Sequence, residues 1–319
     1  MKTGKAAWLA VKLLIVLVIC YALIYKNIVL NWRSLGDFEW DFRWLPFTAS
    51  LLWIALTFAA NSQVWALVVR SISGRRIGAA RAAYIWFISN LGRYLPGKVW
   101  QIAGMAVLAR REGISGVDAA ASAVLGQVIH LLAGAAVGLV FLPGEFAGRL
   151  APLVKWAWMG LPPVLVFLYP PFFKRLLRLA WRWSGKEGVE IRLTLKDLFF
   201  WFTLNCAVWL AYGICFYFFI RSVLPVGALS VSAAVGVYAV GYIVGFLAFF
   251  TPGGLGVREL MFTGLLVSTL GELGATVVAL GSRIWLSLAE LVPVAVMLGA
   301  YGLPVQPKDN VSGPEREKQ

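Results

Sequence analysis

Charge is scarce in this chain. Only 14% of its 319 residues are Asp, Glu, Lys or Arg, against about a quarter in a soluble domain. Histidine occurs once, at His130, and cysteine three times, at Cys20, Cys206 and Cys215. All three thiols lie in apolar runs, where cysteine packs as a small hydrophobe. The sequence therefore offers neither a disulfide framework nor a metal site. Strand-like alternation is missing, which argues against a membrane barrel. Nucleotide motifs fail too. GRYLPGKV, from Gly92, has Val99 where a P-loop needs a hydroxyl for magnesium, and no strand precedes it. GGLGVRE places Glu259 at the third glycine position of a dinucleotide fingerprint. No cofactor is expected.

Hydrophobic sequence fills the space that charge leaves, at 60% of residues. The runs Trp8–Tyr25, Pro46–Val69, Ala119–Leu142, Pro152–Phe173, Leu198–Ile220, Leu229–Phe250 and Ala275–Tyr301 approach or exceed the roughly 17–25 residues that cross a bilayer. The expected fold is an all-α polytopic membrane protein. Lys12 interrupts the first run, and CYALIYKN is a poor cleavage site, so the N-terminus reads as a retained signal anchor.

The formal net charge of +14 is concentrated in a few loops. Lys2, Lys5 and Lys12 precede or begin the first run, and Arg70, Arg75, Arg76 and Arg81 follow the second. Lys174, Arg175, Arg178, Arg182, Lys186, Arg192 and Lys196 share one loop. Loops near Gly36–Trp44 and Gly144–Arg149 mix acids with bases. By the positive-inside rule both termini, the 70–81 loop and the 174–196 loop face the cytoplasm. This is the pattern of a multi-pass bacterial-type inner membrane protein. The 174–196 cluster suits anionic lipid headgroups rather than nucleic acid. FFKRLLRLAWRWSG reads either as a short interfacial helix or as a plain topology signal. Residues 304–319 form a polar tail expected to be disordered.

Two breaks interrupt the hydrophobic pattern. Pro96-Gly97 separates Ala82–Leu95 from Val99–Ala109, and Pro252-Gly253 precedes the short segment Gly256–Leu270. Segments this short, meeting at a Pro-Gly corner, resemble re-entrant hairpins. The order is then span, span, hairpin, span, twice over. That gives about six spans plus two hairpins in an inverted-topology repeat; eight full spans satisfy the same loop charges. The expected organisation is one transmembrane domain over 1–303, with repeats of about 1–145 and 150–303. Gly134 with Gly138, and Gly241 with Gly245, permit close helix contact.

Broken segments at matching positions point to a transporter's binding site. Charges cluster there as well. Arg93 and Lys98 flank the first corner, Arg258 and Glu259 follow the second, and Arg283 and Glu290 share a face of the last span. Helices beginning at Gly97 and near Gly254 would aim free N–H groups at the corners, an arrangement that attracts phosphate. The candidate substrate site comprises Asn90, Arg93, Tyr94, Pro96, Gly97, Lys98, Gln101, Pro252, Gly253, Gly254, Gly256, Arg258, Glu259, Arg283 and Glu290. The arginines and lysine would hold an anionic headgroup, and the two glutamates would position the arginines. Trp100 would pack at the rim. The structural alternatives are snorkelling for Arg93 and Lys98 and a plain ion pair for Glu259 with Arg283. Gln127 and His130 share a helix face and suit a proton relay or a hydrogen bond between helices.

SNLGRYLPGKVWQIAGMAVLARREGIS, then FFTPGGLGVRELMFTGLL and SRIWLSLAELVP, resemble the transmembrane region of lysylphosphatidylglycerol synthases and related flippase-like proteins. The likeness runs to about Leu303. Its motifs fall on Arg93, Pro96, Gly97, Pro252, Gly254, Gly256, Glu259 and Arg283. The resemblance implies lipid translocation or modification. The sequence ends at Gln319 with a short tail in place of the synthases' aminoacyltransferase domain, so the flippase half is the expectation.

The leading expectation is a translocator of lipid or lipid-linked sugar, with a phosphate-bearing membrane lipid as partner and homo-oligomerisation left open. A lipid-carrier enzyme is the first alternative, with Asp37, Glu39 and Asp41 as its acid cluster. An accessory subunit of envelope-lipid synthesis is the second.

Overall fold

The computed structural model describes residues 42–94, 99–142, 169–183, 193–224, 229–248 and 251–302. The run Trp8–Tyr25, the acids Asp37, Glu39 and Asp41, the first corner Pro96-Gly97-Lys98, most of Pro152–Phe173 and the 304–319 tail lie outside these residues.

The described chain is helical. In order come α1 (Trp44–Ser73), α2 (Ala79–Asn90), a 3-10 turn (Leu91–Tyr94), α3 (Trp100–Arg110), α4 (Gly116–Phe141), α5 (Pro170–Trp183), α6 (Leu195–Val223), α7 (Val231–Leu247), a second 3-10 turn (Pro252–Gly254) and α8 (Val257–Tyr301). Four of them, α1, α4, α6 and α8, are long and apolar enough to cross a membrane, and α7 is a shorter apolar helix. The chain is a multi-pass membrane protein.

Local chemistry sets the helix ends. Ser115 and Ser230 accept the N–H of Asp118 and Ala233 at the starts of α4 and α7. Thr194 and Asp197 form a reciprocal capping box on α6. Gly74 closes α1 in the left-handed region at φ 70°. α8 bends at Gly271, where φ is 71° and ψ is 170°, so its 45 residues form two arms. The first arm covers the short segment expected from the sequence.

The centre is aromatic. Trp209, Phe216, Phe219, Tyr238, Phe262 and Trp285 are buried together where α6, α7 and α8 meet. Trp285 Nε1 donates to Ser50 Oγ at 3.1 Å, joining α8 to α1. Leu45, Leu52 and Leu56 on α1, Phe199 on α6, and Ile284 and Val296 on α8 point outward. Lipid tails are as apolar as these side chains, so cohesion rests on close packing and hydrogen bonds rather than on exclusion of water. Gly134 shows how close: a Cβ there would overlap the Trp209 ring.

The basic segment is the helix α5, but its apolar stripe faces protein. Phe173, Leu177 and Trp181 pack against Val68, Ile72, Leu125 and Trp201. Trp181 Nε1 donates to Asp118 Oδ1 at 2.8 Å. Arg175, Arg178 and Arg182 stay exposed. The expected interfacial helix is thus a strap across the ends of α1, α4 and α6.

Candidate functional site

The two halves each carry a short helix, a tight turn and another helix. In the first half α2 runs into Leu91–Tyr94, and α3 returns alongside it. Gly104 of α3 sits on Ser89 of α2, where a Cβ would come within 3.1 Å of the serine side chain. In the second half α7 runs into Pro252–Gly254, followed by the first arm of α8. The two turns touch. The Cβ position of Gly253 lies 3.9 Å from the Tyr94 ring and 4.0 Å from the Arg93 carbonyl oxygen. The chain just before the first break thus meets the second break, while the corner Pro96-Gly97 lies outside the described residues. The described part of α3 is Trp100–Arg110, and its expected start at Gly97 lies outside the described residues; α8 begins at Val257, three residues beyond Gly254.

The second helix start is also occupied by the chain itself. Glu259 Oε2 accepts the Gly256 N–H at 2.7 Å. Gly256 sits at φ 83°, a conformation that favours glycine. A carboxylate at a helix N-terminus satisfies an orphan donor and the helix dipole together. This end is not a free phosphate cradle.

Three arginines and two glutamates then meet where the turns touch. Arg93 Nη1 donates to Glu290 Oε1 at 2.7 Å, and Tyr94 Oη donates to Oε2 of the same carboxylate at 2.8 Å. Arg93 Nε also donates to the Asn90 carbonyl. Arg283 Nε lies 2.6 Å from Glu259 Oε1. That contact is an ion pair, not an aligned hydrogen bond, since neither atom has a hydrogen-bond partner. Both terminal nitrogens of Arg283 donate to the Gly253 carbonyl at 3.2 Å. Glu290 and Glu259 thus each position one arginine.

Arg258 is different. It is 6% exposed, and its Nε and Nη2 have no hydrogen-bond partner among the described residues. Its guanidinium carbon lies 5.3 Å from the Tyr242 ring centre, 5.5 Å from Phe262 and 5.8 Å from Tyr238. Aromatic faces attract a cation, by about 2 kcal/mol when desolvated, yet they leave the N–H groups unused. An unpaired buried donor costs about 1–3 kcal/mol, more when charged. Gly245 makes the position possible, because a Cβ there would fall 2.9 Å from Arg258 Cβ.

These groups line a cavity of about 130 Å³. Asn90, Arg93, Tyr94, Gln101, Gly253, Arg258, Arg283 and Glu290 are on its wall. Gly254, Gly256 and Glu259 stand behind the wall as support. Pro96, Gly97 and Lys98 fall outside the described residues, and of Pro252 only the backbone is described. Trp100 is half exposed and does not line the cavity. Snorkelling does not describe Arg93, whose head group is held by Glu290.

Part of the lining was not in the candidate set. Asn61, Gln127, His130, Asn205, Tyr212 and Tyr242 also line the cavity. His130 Nδ1 is 2.7 Å from Asn205 Oδ1, across α4 and α6. The expected hydrogen bond between helices is thus made by His130. The Gln127–His130 spacing was the sequence signal for this wall; the aromatic enclosure of Arg258 by Tyr238 and Tyr242 had none beyond their spacing of four.

No curated protein matches the chain. A family model, described as the lysylphosphatidylglycerol synthase TM region, matches residues 9–289. With both turns, Arg93, Arg258, Glu259 and Arg283 inside that match, the chain belongs to the lysylphosphatidylglycerol synthase TM region family.

Proposed function

We infer that this protein moves an anionic lipid, or a lipid-linked sugar, across the membrane by receiving its phosphate-bearing headgroup in the cavity between the two turns. Family membership supports a lipid-related function in the membrane. One observation carries the finer reading: Arg258 is buried on the cavity wall with two guanidinium nitrogens unpartnered among the described residues. Of the three arginines at the cavity, Arg93 and Arg283 are neutralised by Glu290 and Glu259. Arg258 leaves one positive charge in a low-dielectric setting, where an anion is the natural counter-group. Gly253 and Gly254 keep the turn narrow beside it.

In this reading the lipid tails remain in hydrocarbon while the headgroup crosses through the polar cavity. The paired helix–turn–helix units support two oppositely inserted hairpins, whose rocking would expose the cavity alternately. Both termini, the 70–81 loop and the α5 strap lie on the cytoplasmic side of an inner membrane. There the exposed Arg175, Arg178 and Arg182 would meet anionic headgroups.

Reconstitution into liposomes with a labelled anionic phospholipid tests the translocator. The wild-type protein is expected to move the lipid faster than Arg258→Gln, Arg283→Ala or Glu259→Gln. Equal rates for all four proteins with every candidate lipid would end this reading.

A further inference from the structure

We propose that His130 is a proton-coupling site, so that passage of an anion through the cavity goes with binding and release of a proton on its imidazole. The proposal rests on the translocator reading above and concerns what drives the passage, not which headgroup is received.

His130 is the only histidine in the chain, and imidazole is the side chain whose charge ordinarily changes between about pH 5 and 8. It is 8% exposed and lines the cavity. Contacts hold its ring in place. Trp209 stacks on it at 4.8 Å, the Tyr212 ring meets it edge-on at 6.2 Å, and Nδ1 lies 2.7 Å from Asn205 Oδ1. Asn205 also fixes which nitrogen can take a proton. Its Nδ2 donates to the Trp201 carbonyl at 2.8 Å, so turning the amide over would set two oxygens against each other. The amide oxygen therefore faces His130, and it only accepts. In the neutral ring Nδ1 carries the hydrogen, and Nε2, which makes no hydrogen bond among the described residues, is the basic atom. A proton arriving at Nε2 breaks nothing, because the Nδ1–H bond to Asn205 survives in both charge states. The ring can be loaded and unloaded while α4 and α6 stay tied.

The other ionisable groups at the cavity set the sign of the coupling. Arg93 acts on the ring through space, and its charge is balanced by Glu290; that of Arg283 is balanced by Glu259. Arg258 keeps two nitrogens without a partner among the described residues. Tyr94 at the first turn, Tyr212 of α6 and Tyr242 of α7 also line the cavity, but phenols ordinarily titrate near pH 10. Among the described residues, α1, α2 and α3 line it with no ionisable side chain. A proton on His130 in the empty cavity thus shares a low-dielectric space with the unbalanced charge of Arg258. An anion that enters removes that repulsion and adds an attraction. Anion and proton therefore favour each other's binding, and the effect is reciprocal.

The test is calorimetry of short-chain phosphatidylglycerol binding to the purified full-length protein in detergent. Repeating it in buffers of different ionisation enthalpy counts the protons taken up. A phosphodiester keeps its charge across the pH range used, so a counted proton belongs to the protein. Wild-type protein is expected to take up protons on binding, with an affinity that falls as pH rises from about 5.5 to 8, by up to about tenfold per unit. His130→Gln should abolish the uptake and flatten the profile at whatever affinity it retains. Asn205→Asp keeps the ring and sets a carboxylate against Nδ1, so the fall in affinity should move to higher pH. That variant decides the matter if His130→Gln does not fold. In liposomes carrying wild-type protein, labelled phosphatidylglycerol should cross faster toward the alkaline side of an imposed pH gradient than toward the acidic side. Binding without proton uptake, uptake that persists in His130→Gln, a profile unmoved in Asn205→Asp, or translocation indifferent to the gradient would each overturn the coupling. The translocator reading then stands on the binding itself. If wild-type protein binds no phosphatidylglycerol at any pH, that reading falls and the coupling falls with it.

Discussion

The two turns carry arginines in opposite circumstances. At the first, Arg93 is tied to Glu290, 197 residues away in sequence, and Tyr94 shares the same carboxylate. At the second, Arg258 is enclosed by rings and has two nitrogens without a partner among the described residues, while its neighbour Glu259 is committed to Arg283 and to the Gly256 N–H. Burying a charge pair is close to neutral for stability, whereas orphaning one member is costly. The first turn therefore ties distant helices together, and the second, in the function proposed above, keeps a charge in reserve for a ligand.

Removing partners at each turn should separate these roles. Glu290→Gln leaves the Arg93 charge without its counter-ion and is expected to lower stability by about 3 kcal/mol. Thermal unfolding in detergent reads this. The double change Arg93→Met with Glu290→Leu should be milder than Glu290→Gln alone; a larger loss would mean the pair is not the source of the cost. At the second turn the sign reverses. Arg258→Met should leave stability unchanged or raised, yet weaken anionic-lipid binding about a hundredfold, or ~2.7 kcal/mol. Substantial unfolding in that variant would show that Arg258 is structural, and the contrast between the turns would vanish.

Smaller changes sharpen the same contrast. Gly245→Ala should cost about 1–2 kcal/mol by pressing on Arg258 Cβ, and it should impair binding along with folding. Gly264 has open space at its Cβ position, so Gly264→Ala is the control. Trp181→Phe, far from either turn, loses the bond to Asp118 and should cost about 1 kcal/mol, with lipid binding untouched. A binding defect there would connect the α5 strap to the cavity.

Several elements were legible before any coordinates. α1, α4, α6 and α7 fall within a few residues of the apolar runs that foretold them, because a membrane helix needs only length and hydrophobicity. The Pro-Gly breaks and their flanking charges marked both turns, because backbone interruption is written locally. Helix starts were less legible. Glycine and proline mark where a helix stops, but Glu259 decides where α8 begins by reaching back to the Gly256 N–H. The strap was read as a basic amphipathic segment, but amphipathicity does not say whether the apolar stripe meets lipid or protein. Phe173, Leu177 and Trp181 meet protein.

The sequence by itself determined a helical membrane protein, the positions of its two breaks and the types of charge beside them. These are properties of composition and of chain-local conformation. Only the tertiary structure decided that Arg93 finds Glu290, that Arg283 finds Glu259, that Arg258 is left over among aromatic rings, and that His130 meets Asn205 across α4 and α6. Pairing among buried polar groups depends on distances of a few ångströms between helices far apart in the chain. In a low-dielectric interior those distances decide which charge is satisfied and which is free to bind.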